Sequence, residues 1–448
     1  MTSKTLLIVN ANIVNEGRIS QGDVFIRDGR IERVGFGLTG QQADRVIDAR
    51  GRHLLPGMID DQVHFREPGL THKGDIATES SAAVAGGITS FMDMPNTIPN
   101  TTTRTALADK YMLAAGRARA NYAFYLGGAN DNIEEIRAVR PEQTCGVKVF
   151  MGASTGNMLV DDPVTLQRIF ADCPVLIATH CEDSAVIRAN EQKFRERYGD
   201  DVPAAAHPLI RSEESCYRSS SLAVSLAKQH GARLHVLHLT TAKEMELFTP
   251  GPVTGKRITA EVCVHHLCLD DSRYQDLGNL IKCNPAVKTA TDRLALLQAL
   301  KDDRIDTVAT DHAPHALREK EHSYLRAASG LPLAQHALPL MLEHFHDATL
   351  SLEAIVRKTS HAPADLFGIR DRGYIREGHW ADLVLVDLRR HTEIRGDDLL
   401  YKVAWSPFEG ITLRSQIFAT LVNGVVVWED GGLTGEVPGR RLDCHATR

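Results

Sequence analysis

A few short stretches of this 448-residue chain hold residues suited to metal-assisted hydrolysis. The first is IDDQVHFREPG at 59–69, where Gln62 and His64 stand two apart. Side chains alternate along a strand, so these two point the same way, and Arg66 continues that face if the strand persists. A metal ligand with a cation just above it suits an anionic substrate. Taken alone, the stretch reads equally well as a polar strand end with a stray histidine. Other stretches decide between the two. Lys148 stands in GVKVF, His180 in ATHCED, His238 in LHVLHLTT and Asp311 in VATDHAPH, each at or near the end of a short apolar run.

Neutral imidazoles suit zinc and its neighbours. A carboxylate beside a metal site can take a proton from water, whose pKa a metal lowers from about 15.7 towards about 7, and return it to a leaving nitrogen. Isolated core histidines would explain any one of these residues, but not the whole set at matching strand ends. His235 and His238 are an odd number apart and so face opposite sides of their strand; His238, nearer the end, is the candidate ligand. Lys148 sits among Val147, Val149 and Phe150, where an unpaired ammonium is costly. Either its lowered pKa lets the neutral amine add carbon dioxide, giving a carbamate able to bridge two cations, or the side chain snorkels to water. The residues alone leave both open.

Strands must carry these ends, and the rhythm of the sequence supplies them. Apolar runs at 57–64, 87–94, 121–127, 146–150, 175–180, 233–239, 258–265 and 306–311 alternate with helical stretches such as 78–85, 212–230 and 292–300. Eight β/α repeats predict an α/β fold, a (β/α)8 barrel of TIM type over 57–370, with its chemistry at the C-terminal strand ends. Residues 1–56 are β-rich, with an Asp28-Gly29 hairpin signal, and 371–448 return to β after a helical stretch at 351–368. The two ends are expected to pair into one small sheet domain.

Composition narrows the class. A chain 43% hydrophobic and 24% charged is an ordinary globular one, long enough to bury a large core. A net charge of −6 argues against a nucleic-acid partner. No apolar run is long enough for a membrane span, and the N-terminal residues run straight into strand-like sequence without a signal peptide. Eight cysteines without a CxxC pair read as reduced thiols of a cytoplasmic protein.

Together, PGMID, HFREPG, FMDMPNT, KVFMGAS, ATHCED, HVLHLTT, EVCVHHL, NPAVK, TDHAPH and ADLVLVD make nearly the whole chain resemble the amidohydrolase superfamily, and within it the cyclic-amide hydrolases of the dihydroorotase type. The resemblance implies a distorted barrel with a composite β-sandwich built from both termini. It implies two zinc ions: His64 and Asp311 on the first, His180 and His238 on the second, and carbamylated Lys148 bridging them. Asp311 would also serve as general base and then general acid. Arg66, Asn96 and His315 would hold the substrate carboxylate, with Asn284 near the ring. The implied reaction interconverts dihydroorotate and N-carbamoyl-L-aspartate; the alternatives are an allantoinase- or hydantoinase-type amidase, or an inactive subunit partnering an aspartate transcarbamoylase. The implied assembly is a homodimer or larger. One departure stands out. Gln62 replaces the first histidine of the usual His-x-His pair, as a weaker neutral ligand or as a residue orienting a water. Some relatives bridge with an aspartate, which brings Asp161 and Asp162 into view beside Lys148. The loop 319–330 has the composition of a lid and equally of an ordinary surface loop.

Overall fold

The computed structural model describes residues 4–152 and 158–445; the end of the KVFMGAS motif lies outside them. Eight short parallel strands run in sequence order: β1 (Met58–Val63), β2 (Ile88–Asp93), β3 (Asn121–Phe124, resuming as Leu126–Gly127), β4 (Val147–Phe150), β5 (Ile177–His180), β6 (Leu234–Val236), β7 (Ile258–Cys263) and β8 (Thr307–Ala309). Each pairs in parallel with the next, β3 serving β2 through its first half and β4 through its second. A parallel bridge between Val63 and His312 brings the chain beyond β8 back to β1. This is the distorted (β/α)8 barrel that the alternating pattern predicts.

Local chemistry sets the helices. The helix α1 (Ile76–Ala85) starts from a capping box in which Asp75 accepts from the Ala77 and Thr78 amides. The helix α2 (Glu213–His230) is capped by Ser212 and stops at Gly231, in left-handed backbone at φ 65°. The helix α3 (Ala290–Lys301) opens on Thr289, with Asp292 completing its capping box.

Strands from both chain ends share one nine-stranded sheet, the composite β-sandwich. Thr5–Asn15, Arg18–Arg27, Arg30–Gly35, Arg45–Asp48 and His53–Pro56 join Leu383–Asp387, Gln416–Val422, Val425–Glu429 and Gly432–Leu433. The joint is the antiparallel pairing of His53–Pro56 with Leu383–Asp387. Asp28 and Gly29, both at positive φ, turn the hairpin between the second and third of these strands. Alternation divides the sheet's faces: Leu54, Leu383 and Leu385 enter a core within this domain, whereas Leu55, Val384 and Val386 join the barrel's core.

Candidate metal centre and anion pocket

A cavity of about 430 Å³ opens at the C-terminal ends of the barrel strands. Gln62, His64, Arg66, Asn96, Lys148, His180, His238, Asn284, Asp311 and His315 all line it, so these ten candidate residues meet at one place. Asp161 and Asp162 do not line it. Asp161 bonds Asn130, and Asp162 caps the helix Pro163–Asp172, which leaves Lys148, on β4, as the bridging candidate that lines the cavity.

One half of the cavity is built from β1 and the turn after β8. His64 Nδ1 lies 2.7 Å from Asn96 Oδ1. The amide oxygen can only accept, so Nδ1 carries the proton and Nε2 is left facing Asp311 Oδ1 at 3.1 Å. Burial lowers the His64 pKa, so this imidazole is neutral near pH 7. A lone pair aimed at a carboxylate calls for a cation between them. Gln62 Nε2 lies 3.2 Å from the same oxygen, and Gln62 Oε1 is buried with no hydrogen-bond partner among the described residues. Rotating that amide would turn its oxygen towards the same point.

The other half is built from β5 and β6. His180 Nδ1 and His238 Nε2 face each other at 3.0 Å. His180 Nε2 is 2.9 Å from Glu182, which also pairs with Arg211. Burial pushes the Glu182 carboxyl up, but Arg211 and His180 outweigh it and hold it at about 2. The carboxylate therefore accepts a hydrogen bond from His180 Nε2–H and leaves Nδ1 free to ligate. Burial lowers both imidazole pKa values, that of His238 strongly. Convergent neutral nitrogens of this kind fit a divalent cation. Lys148 lies between the halves in a buried position, its Nζ 4.7 Å from the Phe150 ring centre. Burial brings this amine to about 8 although Asp311 and Glu261 favour its charge, so a part of it is neutral and nucleophilic near pH 7.

Arg66 and His315 stand together beside the first half, a candidate anion pocket. The strand ends at Val63, and Arg66 reaches the cavity from left-handed backbone at φ 69° rather than from a continued strand. Its Nε donates to Pro314 O at 3.0 Å, and its Nη2 lies 3.1 Å from His315 Nε2. Lys73 Nζ stands 3.1 Å from His315 Nδ1. Burial, then the charge of Arg66, takes His315 down to about 3, so this ring is neutral. Burial lowers Arg66 only to about 10, so it stays a cation. Asn96 lines the cavity but spends its oxygen on His64, and Asn284 Oδ1 has no hydrogen-bond partner among the described residues. The loop 319–330 forms one wall, through Ala328, Ser329 and Gly330. It is pinned by buried Lys320, whose Nζ donates to Lys282 O, Ala328 O and Gly330 O at 2.8–2.9 Å. Gly330 has φ +135°, and a Cβ there would stand 2.6 Å from Ala313 O, so only glycine fits this wall.

Residues that the sequence reading passed over hold these groups in place. Asp60 accepts from the Thr310 amide and hydroxyl at 3.0 and 2.6 Å, fixing the residue before Asp311. His312 accepts the Leu333 and Ala334 amides on Nδ1, so its Nε2–H donates to Glu79 at 2.6 Å. Glu261 accepts the His238 amide at 3.0 Å. Arg66, His238 and Asp311 all lie at positive φ, a strain that such surroundings must hold. Glu182 was within reach of the sequence, because it stands two residues after His180.

Comparison with known proteins agrees with the fold. The model of the amidohydrolase family matches residues 53–427. A dihydroorotase of Halobacterium salinarum is 34% identical over 441 residues, 97% of this chain and 99% of that protein. An L-hydantoinase of Paenarthrobacter aurescens is 30% identical over 440 residues, 95% of each. The solved structure of the L-hydantoinase (dihydropyrimidinase) from Arthrobacter aurescens superposes with a TM-score of 0.93 at 29% identity, covering 98% of this chain and 99% of that one.

Proposed function

The chain belongs to the amidohydrolase family, and on that footing we propose that it is a cyclic amidase interconverting dihydroorotate and N-carbamoyl-L-aspartate in pyrimidine synthesis. The observation that carries the choice of substrate is the anion pocket. Arg66 is a buried cation beside His64 and Asp311, with neutral His315 against it and Lys73 on the far nitrogen of that ring. A guanidinium with donors to spare suits a carboxylate on the ring to be opened. Unsubstituted hydantoin carries no such group.

In this reading Gln62, His64 and Asp311 would hold one zinc ion and His180 and His238 a second, and Lys148, as its carbamate, would serve as a ligand shared by both. Bound there, zinc would supply Lewis acidity, polarising a carbonyl and lowering the pKa of water. Arg66, Asn96 and His315 orient the substrate carboxylate, and Asn284 meets the ring with its unpaired oxygen. Asp311 takes a proton from the attacking water and passes it to the ring nitrogen as the amide C–N bond breaks. Burial raises the Asp311 pKa, but His64 outweighs that effect, so the base is ionised at neutral pH. No helix among the described residues is long and apolar enough to cross a membrane. We place the enzyme in the cytoplasm as a homodimer or larger, with an aspartate transcarbamoylase as the partner to test.

The L-hydantoinase relative supports a second reading, a hydantoin-type substrate, and an allantoinase relative extends it to allantoin. The deciding experiment is ring opening of dihydroorotate by protein purified with zinc and bicarbonate, with Asp311→Asn as the blank. Turnover well above the blank supports the first reading. Turnover of hydantoins or allantoin alone supports the second. Folded protein that opens none of them, yet binds an aspartate transcarbamoylase, would be the inactive subunit that Gln62 brings to mind.

A further inference from the structure

Nearer the N-terminal ends of the strands than the cavity lies a second group of polar side chains that none of the proposed chemistry uses. Asp61 on β1, His235 on β6, Glu261 on β7 and Thr307 on β8 converge inside the barrel, all with no exposed surface. His235 Nε2 is 3.2 Å from Asp61 Oδ2 and 3.7 Å from Glu261 Oε2. Thr307 Oγ1 stands 3.2 Å from Asp61 Oδ2 and 3.5 Å from His235 Nε2. None of the four lines the cavity.

The tautomer of His235 follows from its other nitrogen. Thr259 Oγ1 donates to Leu234 O at 3.2 Å, so it accepts from His235 Nδ1, 2.9 Å away. Nδ1 therefore carries the proton, and Nε2 faces two buried carboxylates. A bare lone pair would be repelled there, so a positive charge belongs between these atoms. Burial pulls the His235 pKa down, and Asp61 and Glu261 raise it, the direction that a positive charge at this spot requires.

One proton on Nε2 serves the cluster poorly. A single N–H cannot satisfy both acids, and Asp61 Oδ1 and Glu261 Oε2 have no hydrogen-bond partner among the described residues. The separations of 3.2 and 3.7 Å also exceed the ~2.7–2.9 Å of an imidazolium bound to a carboxylate. They come closer to the spacing between neighbouring ligands of a small divalent ion, roughly 3.3 Å for bonds of about 2.0–2.1 Å. An imidazole whose far nitrogen is fixed by a hydroxyl, with two carboxylates, is a donor set for a first-row divalent metal.

We propose that Asp61, His235 and Glu261, with the Thr307 hydroxyl beside them, bind a structural divalent cation of the zinc class, separate from any ion in the cavity. Glu261 links the two places, since its other oxygen holds the His238 amide at 3.0 Å. Because the four side chains are wholly enclosed, the ion enters as the chain folds and does not exchange afterwards.

The test is a pair of anomalous difference maps, above and below the zinc absorption edge, from crystals of the full-length protein folded with zinc. The expected result is a peak among Asp61, His235 and Glu261 in addition to density in the cavity. Brief EDTA treatment should remove the cavity peaks and leave the buried one. In Asp61→Asn the buried peak should vanish, zinc per chain should fall by one equivalent, and the cavity peaks should remain. Peaks confined to the cavity of the untreated protein would overturn the proposal and leave a shared proton in its place. So would loss of the buried peak to EDTA together with the cavity peaks. If Asp61→Asn does not fold, the maps of the unaltered protein still decide.

Discussion

The two halves of the cavity face the same space with unlike equipment. On the β5–β6 side stand two imidazoles, one backed by the Glu182 carboxylate and the Arg211 guanidinium. On the β1–β8 side a single imidazole, His64, is backed only by the neutral Asn96, and its neighbour in the ligand set is the Gln62 amide. A carboxylate behind a histidine makes it a better donor, and a neutral amide is a weaker donor than an imidazole. The difference teaches that counting ligands is not enough. What stands behind each candidate ligand sets its strength, and by that measure the β5–β6 half would hold an ion the more tightly and the β1–β8 half would release one first. The weaker half also carries Asp311, the proposed proton-transfer group. An ion held loosely there would leave that carboxylate freer to give up and take protons.

Breaking the comparison at its reactive end gives the largest effect. Asp311→Asn should lower turnover by about 10²–10⁴-fold, the usual worth of a positioned acid–base group, while the His180–His238 ion stays bound. Steady-state rates with metal analysis on the same samples check both parts; full turnover would remove Asp311 from its role. The next effect in size lies behind the stronger half. Glu182→Gln should weaken metal binding there by roughly 10–100-fold, as loss of a supporting carboxylate does elsewhere. Competition with a graded chelator reads this directly. Unchanged affinity would mean that the carboxylate serves only Arg211. Gln62→His should sharpen the comparison by narrowing it: the β1–β8 half tightens while the other stays as it was. Equal release of both ions by the unaltered protein would show that the halves do not differ at all.

Much of this was legible in the sequence, for a physical reason. A barrel strand is a short apolar run, and a residue that does chemistry at its end stands out as a polar interruption. His64, Lys148, His180, His238 and Asp311 were all visible in that way, and the strands were found within a few residues of their ends. The turn that carries Arg66 was not, because a left-handed backbone at an arginine has no signature of the kind that glycine gives. Arg211 was not, because it reaches Glu182 from 29 residues away through the fold. Asp61 is one of three consecutive polar residues in its strand, His235 and Glu261 each look like one polar residue among apolar neighbours, Thr307 opens a short apolar strand, and only closure of the barrel brings the four together.

The smallest effect is on stability, and it tests whether the charge behind the stronger half is as firmly held as the geometry implies. Glu182 is held at about 2 in the folded chain against 4.5 for an ordinary glutamate. Its folded pKa is depressed, so the unfolded chain binds more protons between those two values, and stability falls as pH drops through the window. The contribution is fully present above about 4.5 and is lost by about 2. Within the window a single group changes stability by at most about 1.4 kcal/mol per pH unit. In metal-free protein, urea midpoints taken between pH 5 and pH 3 should therefore fall more steeply for the native chain than for Glu182→Gln, which has no proton to gain. Metal-free protein isolates the carboxylate, because acid would otherwise strip the ion and mask the slope. Parallel slopes in the two proteins would place the Glu182 pKa near its ordinary value, and with that the stronger half would lose the support that distinguishes it from its neighbour.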